Sequence, residues 1–315
     1  MQIVRDYQFV EENARGASAA IGNFDGVHLG HQAVIDIARA KGDAIGAPLG
    51  VVTFEPHPRE YFAPKAPPFR LMNARARAHR LETLGIQVLY ELNFNAALSR
   101  LSPQEFAKNV LTDGLGLRHV VVGRDFCFGK GRSGTAQDLV DFGREMGFGV
   151  TIADLLIDAG GEEVSSTAIR RALSDGRPED AARMLGHWHR IEGRVIRGDQ
   201  RGRELGFPTA NMSIDGLHPP KFGVYAVKVD VLEGPHKGSY NGAASVGVRP
   251  MFGDNHPNLE SYLFDFQGDL YGTPLSVALV EYLRPEETFK DLSTLVAQVE
   301  DDCSRARKIL EQTGV

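Results

Sequence analysis

The sequence predicts an α/β doubly wound parallel sheet followed by an antiparallel β-barrel domain with a C-terminal helix. Three observations predict it. Short apolar runs alternate with helical patterns up to about residue 186. After Trp188 the runs become β-branched and aromatic, broken by clusters of Gly, Pro and Asn. The chain then ends on an amphipathic helical pattern. A chain of 315 residues is long for one core and suits two domains, expected at 1–186 and 187–315.

In the first half the strands are expected at Ala19–Phe24, Gly50–Phe54, Gln87–Glu91, His119–Gly123 and Gly149–Ala153. Helical segments are expected between them at Leu29–Ala44, Asn73–Leu84, Pro103–Asp113 and Thr135–Met146. Ser165–Leu185 reads as two short helices, the first capped by Ser165 or Ser166 and the second started by Pro178. In the second half strands are expected at Arg190–Arg197, Tyr225–Leu232, Tyr240–Val248, Leu259–Phe266 and Ser276–Tyr282. Pro285–Thr313 reads as the final helix, with Leu292, Leu295, Val299 and Leu310 on its apolar face.

Hydrophobic residues make up 42% and charged residues 24%, as in soluble globular proteins. The net charge of −6 argues against general binding to nucleic acid or anionic membrane, both of which want a basic surface. Two cysteines, Cys127 and Cys303, are too few for a disulfide or metal framework. The amino end lacks the pattern of a signal peptide, and no apolar run is long enough to span a bilayer. A cytoplasmic enzyme or binding protein is expected, with room for a homo-oligomer.

The first candidate site is the run Gly22-Asn23-Phe24-Asp25-Gly26-Val27-His28-Leu29-Gly30-His31. It leaves a strand, turns through glycines and enters a helix. A helix amino end offers unpaired N–H groups and a positive dipole end, which suit phosphate. His28 and His31, three apart, add imidazole donors to that end. A zinc site is a weak reading, because no third ligand stands nearby. Asp25 serves equally as a cap for the turn or as a catalytic group.

His28-Leu29-Gly30-His31 matches the HxGH signature of the nucleotidyltransferase superfamily. Ser165-Ser166-Thr167-Ala168-Ile169-Arg170 is similar to its second signature, and Pro208-Thr209-Ala210-Asn211 matches the PTAN signature of riboflavin kinases. With these three motifs in order, the whole chain resembles the bacterial bifunctional riboflavin kinase/FMN adenylyltransferases, also called FAD synthetases. The resemblance implies a nucleotidyltransferase-type sheet, the substrates riboflavin, FMN, FAD and ATP, and Mg²⁺ bound with ATP.

In the first site it implies that Gly22, Phe24, Asp25, Gly26, His28 and His31 hold ATP phosphates. Ser165, Ser166 and Thr167 would supply hydroxyls, and Arg170 a fixed charge for pyrophosphate. Helix capping by the same serines is compatible with that role. Asp125 stands where many members carry asparagine, which weakens direct phosphate contact and favours metal or ribose. Pro56, Pro58 and Phe62, with Leu98, Phe106 and Phe128, would wall the flavin ring, although core packing competes for each. His57 has no assigned role.

In the second site the resemblance makes Thr209 and Asn211 ligands of Mg²⁺ and ATP phosphates, and Glu260 the base for the ribityl hydroxyl. The glycine-rich loop containing Gly198 and Gly202 would close over phosphates through its N–H groups. Without its context Glu260 reads as a solvated strand residue. The segment from Val246 to Gly253 departs from the family's GTRPTF, with Val248 and Met251 replacing threonines, so hydroxyl contacts there are in doubt. Two rivals remain: the same first site with another phosphorylated acceptor, and a flavin-binding sensor that has lost catalysis.

Overall fold

The computed structural model describes residues 1–154, 156–157, 164–198, 202, 205–251 and 254–313. The chain divides into two compact units, Met1–Pro67 with Arg77–Val164, and Pro68–Ala76 with Ser165–Val315. The second unit therefore takes in the helices just after Val164 and a short excursion from the first half of the chain.

The elements of the first half are β1 (Gln2–Val4), β2 (Ser18–Ile21), α1 (Leu29–Ile45), β3 (Leu49–Glu55), α2 (Pro58–Phe62), α3 (Ala74–Thr83), β4 (Val88–Asn93), α4 (Ala96–Arg100), α5 (Pro103–Glu105), β5 (His119–Gly123), β6 (Cys127–Phe128), β7 (Gly134–Thr135), α6 (Ala136–Met146) and β8 (Gly149–Ala153). Among the described residues one sheet runs β1-β4-β3-β2-β5-β8, with every pair parallel. Strands covered on both faces need unbroken apolar runs, which Leu49–Val52 and Val120–Val122 supply. Helix α1 stops at Gly46, whose φ of 61° is the left-handed conformation of a helix end. The segment after α5 widens into π-helical turns over Phe106–Thr112.

Several features differ from the sequence expectation, among them the short antiparallel pair β6–β7, which was not expected. Strand β2 ends at Ile21, not Phe24, because the chain turns sharply there. Strand β1 was not expected; its three residues are too few to show periodicity, and it pairs with the distant β4. Helices α2 and α4 were read as loop. Each is five residues long and defined by its cap, His57 or Asn95, more than by pattern.

The second half begins with α7 (Ser166–Ser174), capped by Ser165, and α8 (Pro178–Leu185), with Pro178 at its first turn. Strands β9 (Arg190–Arg194), β10 (Ala210–Ser213), β11 (Gly223–Val231), β12 (Gly238–Met251), β13 (Asp254–Leu263) and β14 (Pro274–Arg284) follow, then helix α9 (Leu292–Gln312). The sheet order is β10-β13-β12-β11-β14-β9, antiparallel throughout. A bridge from Ile196 to Asn211, with an N–H···O distance of 2.8 Å, joins the two edges and nearly closes a barrel. The strand expected to Arg197 thus ends at Arg194, and Ile196 rejoins across the seam. Strand β10 was missed because its four residues carry only two core side chains, Ala210 and Met212.

Ile191, Met212, Val227, Val246, Leu259 and Leu279 fill the barrel. Helix α9 covers an outer face through Ala306 and Leu310 against Phe264, Val280 and Leu283. It begins seven residues later than expected, where Asp291 caps it. Hydrogen bonds from Ser293 and Thr294 hold the Asp291 carboxyl down at about 2. Arg284 grips Asp302 of α9 with bonds of 2.8–3.0 Å. Among the described residues no helix is long and apolar enough to cross a membrane.

Candidate active site

In the first unit the chain leaves β2 through a turn in which Phe24, Gly26 and Val27 have φ of 50°, 89° and 45°. That conformation is strained for a β-branched valine, at about 1–3 kcal/mol. Burial of Phe24 and Val27 helps to hold it. The Asn23 carbonyl accepts from Thr53 Oγ1 at 3.2 Å and from Arg77 Nη1 at 3.4 Å, and the Val27 carbonyl accepts from Gln32 Nε2 at 2.9 Å. Arg77 is buried, with Nη2 at 2.8 Å from Glu55 and 3.1 Å from Glu91. Sequence reasoning missed this arginine. Its one signal is its place four residues before the buried Leu81, on the inward face of α3.

His28 caps α1 by accepting the His31 N–H on Nδ1 at 3.3 Å. The two rings stack at 3.6 Å and 19°. A neutral His28 with its Nδ1 lone pair engaged carries its proton on Nε2, which makes Nε2–H the donor of that ring. Burial, and secondly the nearby His28, push the His31 pKa well below its ordinary value. Its Nδ1 is buried without a partner among the described residues, and Phe24 packs 5.1 Å from its ring. A Cβ on Gly30 would lie 3.1 Å from His28 Nδ1, so glycine keeps that ring in place.

Asp125 is exposed just past β5, next to β2 in the sheet. The crossovers reverse direction at these two strands, and crevices in open α/β sheets lie beyond such carboxyl ends. Beyond β3, His57 caps α2, accepting the Arg59 N–H at 3.0 Å while Glu60 closes the capping box. This gives the unassigned histidine a structural role. Pro56 is exposed and Pro58 half-buried. Phe62 is 67% exposed and forms an aromatic rim with Tyr61 and Phe94, at 5.2 and 5.7 Å. Leu98, Phe106 and Phe128 belong to the buried core.

In the second unit Ser165 Oγ accepts the Ala168 N–H at 3.2 Å, and Ser166 and Thr167 form the first turn of α7. One turn on, Arg170 donates from Nε to the Phe69 carbonyl at 2.6 Å, with its guanidinium 5.4 Å from the Phe69 ring.

At the barrel seam Asn211 and Glu260 are direct cross-strand partners on β10 and β13. Asn211 Nδ2 lies 3.4 Å from Thr209 Oγ1. Asn258, two residues before Glu260 on the same face, donates from Nδ2 to Asn211 Oδ1 at 3.1 Å and to Glu260 Oε1 at 3.3 Å. Sequence reasoning gave Asn258 no role, although period-two alternation places it beside Glu260. A Cβ on Gly198 would lie 2.7 Å from Asn211 Oδ1, and one on Gly202 would lie 2.4 Å from the Phe207 carbonyl. Asp199–Arg201, Arg203, Glu204, Phe252 and Gly253 lie outside the described residues.

A family model for FAD synthetase matches residues 10–168, and one for riboflavin kinase matches residues 185–310. The bifunctional riboflavin kinase/FMN adenylyltransferase of Pseudomonas fluorescens is 42% identical over 310 residues, 98% of each chain. The chain belongs to the bifunctional riboflavin kinase/FMN adenylyltransferase family. The Escherichia coli K12 member is 36% identical over 99% of each chain. A crystal structure described as a macrolide-efflux protein from Streptococcus pneumoniae shares the fold, with a TM-score of 0.81 and 30% identity over 95% of this chain and 96% of that one. Like its family, this protein is an enzyme with two activities: it phosphorylates riboflavin to FMN, then adenylylates FMN to FAD.

Proposed function

We propose that the two reactions run on separate catalytic groups, adenylylation on residues 1–186 and phosphorylation on residues 187–315. The observation that carries this is the pairing of chemistry with fold. A stacked His28–His31 pair caps a helix of the parallel sheet, while an Asn211–Glu260 pair lies on a barrel.

For adenylylation, an oxygen of the FMN phosphate attacks the α-phosphorus of ATP and pyrophosphate leaves. No proton need be taken from a phosphate nucleophile, so positioning and charge stabilisation carry the rate. His28 donates from Nε2 to the phosphates, alongside the N–H groups at the α1 amino end. His31 lies stacked beneath it, and Phe24 backs His31. Gly22, Asp25 and Gly26 shape the turn around the triphosphate. Ser165, Ser166 and Thr167 supply hydroxyls, and Arg170, steadied by Phe69, meets the pyrophosphate. Asp125 takes the ribose side. Pro56, Pro58 and Phe62 wall the flavin over a floor of Leu98, Phe106 and Phe128.

For phosphorylation, the ribityl 5′-hydroxyl attacks the γ-phosphorus, Glu260 accepts its proton and ADP leaves. Thr209 Oγ1 and Asn211 Oδ1 fit a hard cation, since both are oxygens and Asn211 Oδ1 keeps a second lone pair beside its bond from Asn258. Mg²⁺, when bound there with ATP, neutralises charge on the phosphates. Gly198 keeps the approach to Asn211 open, and Gly202 leaves room for the Phe207 carbonyl. The acidic net charge supports small-molecule partners over nucleic acid or anionic membrane. Chromatography after incubation with riboflavin, ATP and Mg²⁺ tests the reading. FMN should accumulate first and FAD follow; loss of both reactions in a folded His31→Ala or Glu260→Gln protein would contradict it.

A further inference from the structure

We propose that Asn258 is a positioning residue of the kinase reaction, fixing Asn211 and Glu260 relative to each other. This rests on the roles assigned to those two residues above. One amide nitrogen serves both: Nδ2 lies 3.1 Å from Asn211 Oδ1 and 3.3 Å from Glu260 Oε1. The opposite atom of the same amide, Oδ1, is buried with no partner among the described residues. Turning the amide over is no remedy. It would set an oxygen against the Asn211 oxygen and the Glu260 carboxylate, trading one orphan acceptor for two repulsive contacts. The side chain is 7% exposed, so neither its position nor the missing bond reflects a mobile surface group.

A buried acceptor left unpaired costs stability, and packing alone would favour an apolar residue of similar size here. What the asparagine supplies instead is a fixed distance between a phosphate-side amide and the base. Register supports this. Asn211 faces Glu260 directly, Asn258 sits diagonally from Asn211, and Gly247 opposite Asn258 on β12 adds no side chain. A donor shared between two groups sets their mutual orientation, and misplacement by about 1 Å can cost about 10²-fold in rate.

Asn258→Leu, close in size but unable to donate, separates positioning from packing. Riboflavin phosphorylation should fall at least about tenfold in kcat. The riboflavin KM should change less than about twofold, because the flavin does not depend on this amide. Magnesium–ADP affinity, measured by titration calorimetry without turnover, should weaken as Asn211 loses its orientation. FMN adenylylation by the same preparation, with FMN supplied, serves as the control for folding. If the leucine variant does not fold, Asn258→Ser is measured in its place, and its short hydroxyl should give the same kcat loss. Full phosphorylation and unchanged magnesium–ADP affinity in the folded variant would overturn the proposal. Loss in Glu260→Gln with full activity in Asn258→Leu defeats only the role of Asn258. Full activity in Glu260→Gln defeats the base assignment and this inference with it.

Discussion

His31 is held neutral by its surroundings, and that has a measurable effect on stability. Burial, then His28, keep its pKa well below the ordinary value, and His189, buried near His187 and His218, is pushed down to about 3. In the unfolded chain both bind a proton near pH 6.5. Below that pH the unfolded state holds protons the folded state refuses, so stability rises with pH across this window and falls on acidification. Each such group is worth up to about 1.4 kcal/mol per pH unit between its two pKa values. The urea midpoint should therefore drop from pH 7 to pH 5, and a flat profile would refute the burial argument. Arg77 makes a sharper case, as a buried charge whose partners, Glu55 and Glu91, are carboxylates. Arg77→Met leaves both without it, at a cost of about 3–5 kcal/mol. It also removes a donor from the Asn23 carbonyl, so adenylylation should weaken at temperatures where the variant is still folded.

Helix α1 shows how a local sequence fixes a site, and also where legibility ends. Strand, glycine turn and helical pattern follow one another within thirty residues, so the placement of His28 and His31 at the helix entrance was readable. The left-handed backbone at Phe24 and Val27 was not, because neither residue type favours it and burial, with bonds from Gln32 and the distant Thr53 and Arg77, holds it. The same holds for β1, and for Asn258, whose neighbours are set by barrel register and not by spacing along the chain. His57, which has no assigned role in the sequence, caps α2. Gly30 tests the helix entrance directly. Alanine there should strengthen the helix by about 1 kcal/mol on propensity alone. Its Cβ, 3.1 Å from His28 Nδ1, displaces the stacked ring. Gly30→Ala should thus keep or raise the melting temperature while FMN adenylylation falls several-fold as the His28 ring gives by a few tenths of an ångström, with riboflavin phosphorylation intact. Unchanged adenylylation would mean that the ring position does not matter.

The His28–His31 pair lies in the first unit, and the kinase cluster of Thr209, Asn211, Asn258 and Glu260 is held together within the barrel of the second. The chemistry is divisible in the same way. Adenylylation needs donors for phosphate and no base, while phosphorylation needs a base for an alcohol. His31→Ala should therefore abolish FAD formation from FMN yet still convert riboflavin to FMN. Glu260→Gln should do the reverse, stopping at riboflavin but adenylylating any FMN supplied. Neither variant alone then makes FAD from riboflavin. Mixed in one tube with ATP and Mg²⁺, the pair should restore the whole conversion, with FMN passing through solution from one protein to the other. The lag before FAD appears should shorten as the His31→Ala protein is increased, because that variant supplies the intermediate. If the mixture makes FMN but no FAD while Glu260→Gln still adenylylates added FMN, the intermediate is not released, and the sites, though chemically separate, exchange FMN only within one molecule.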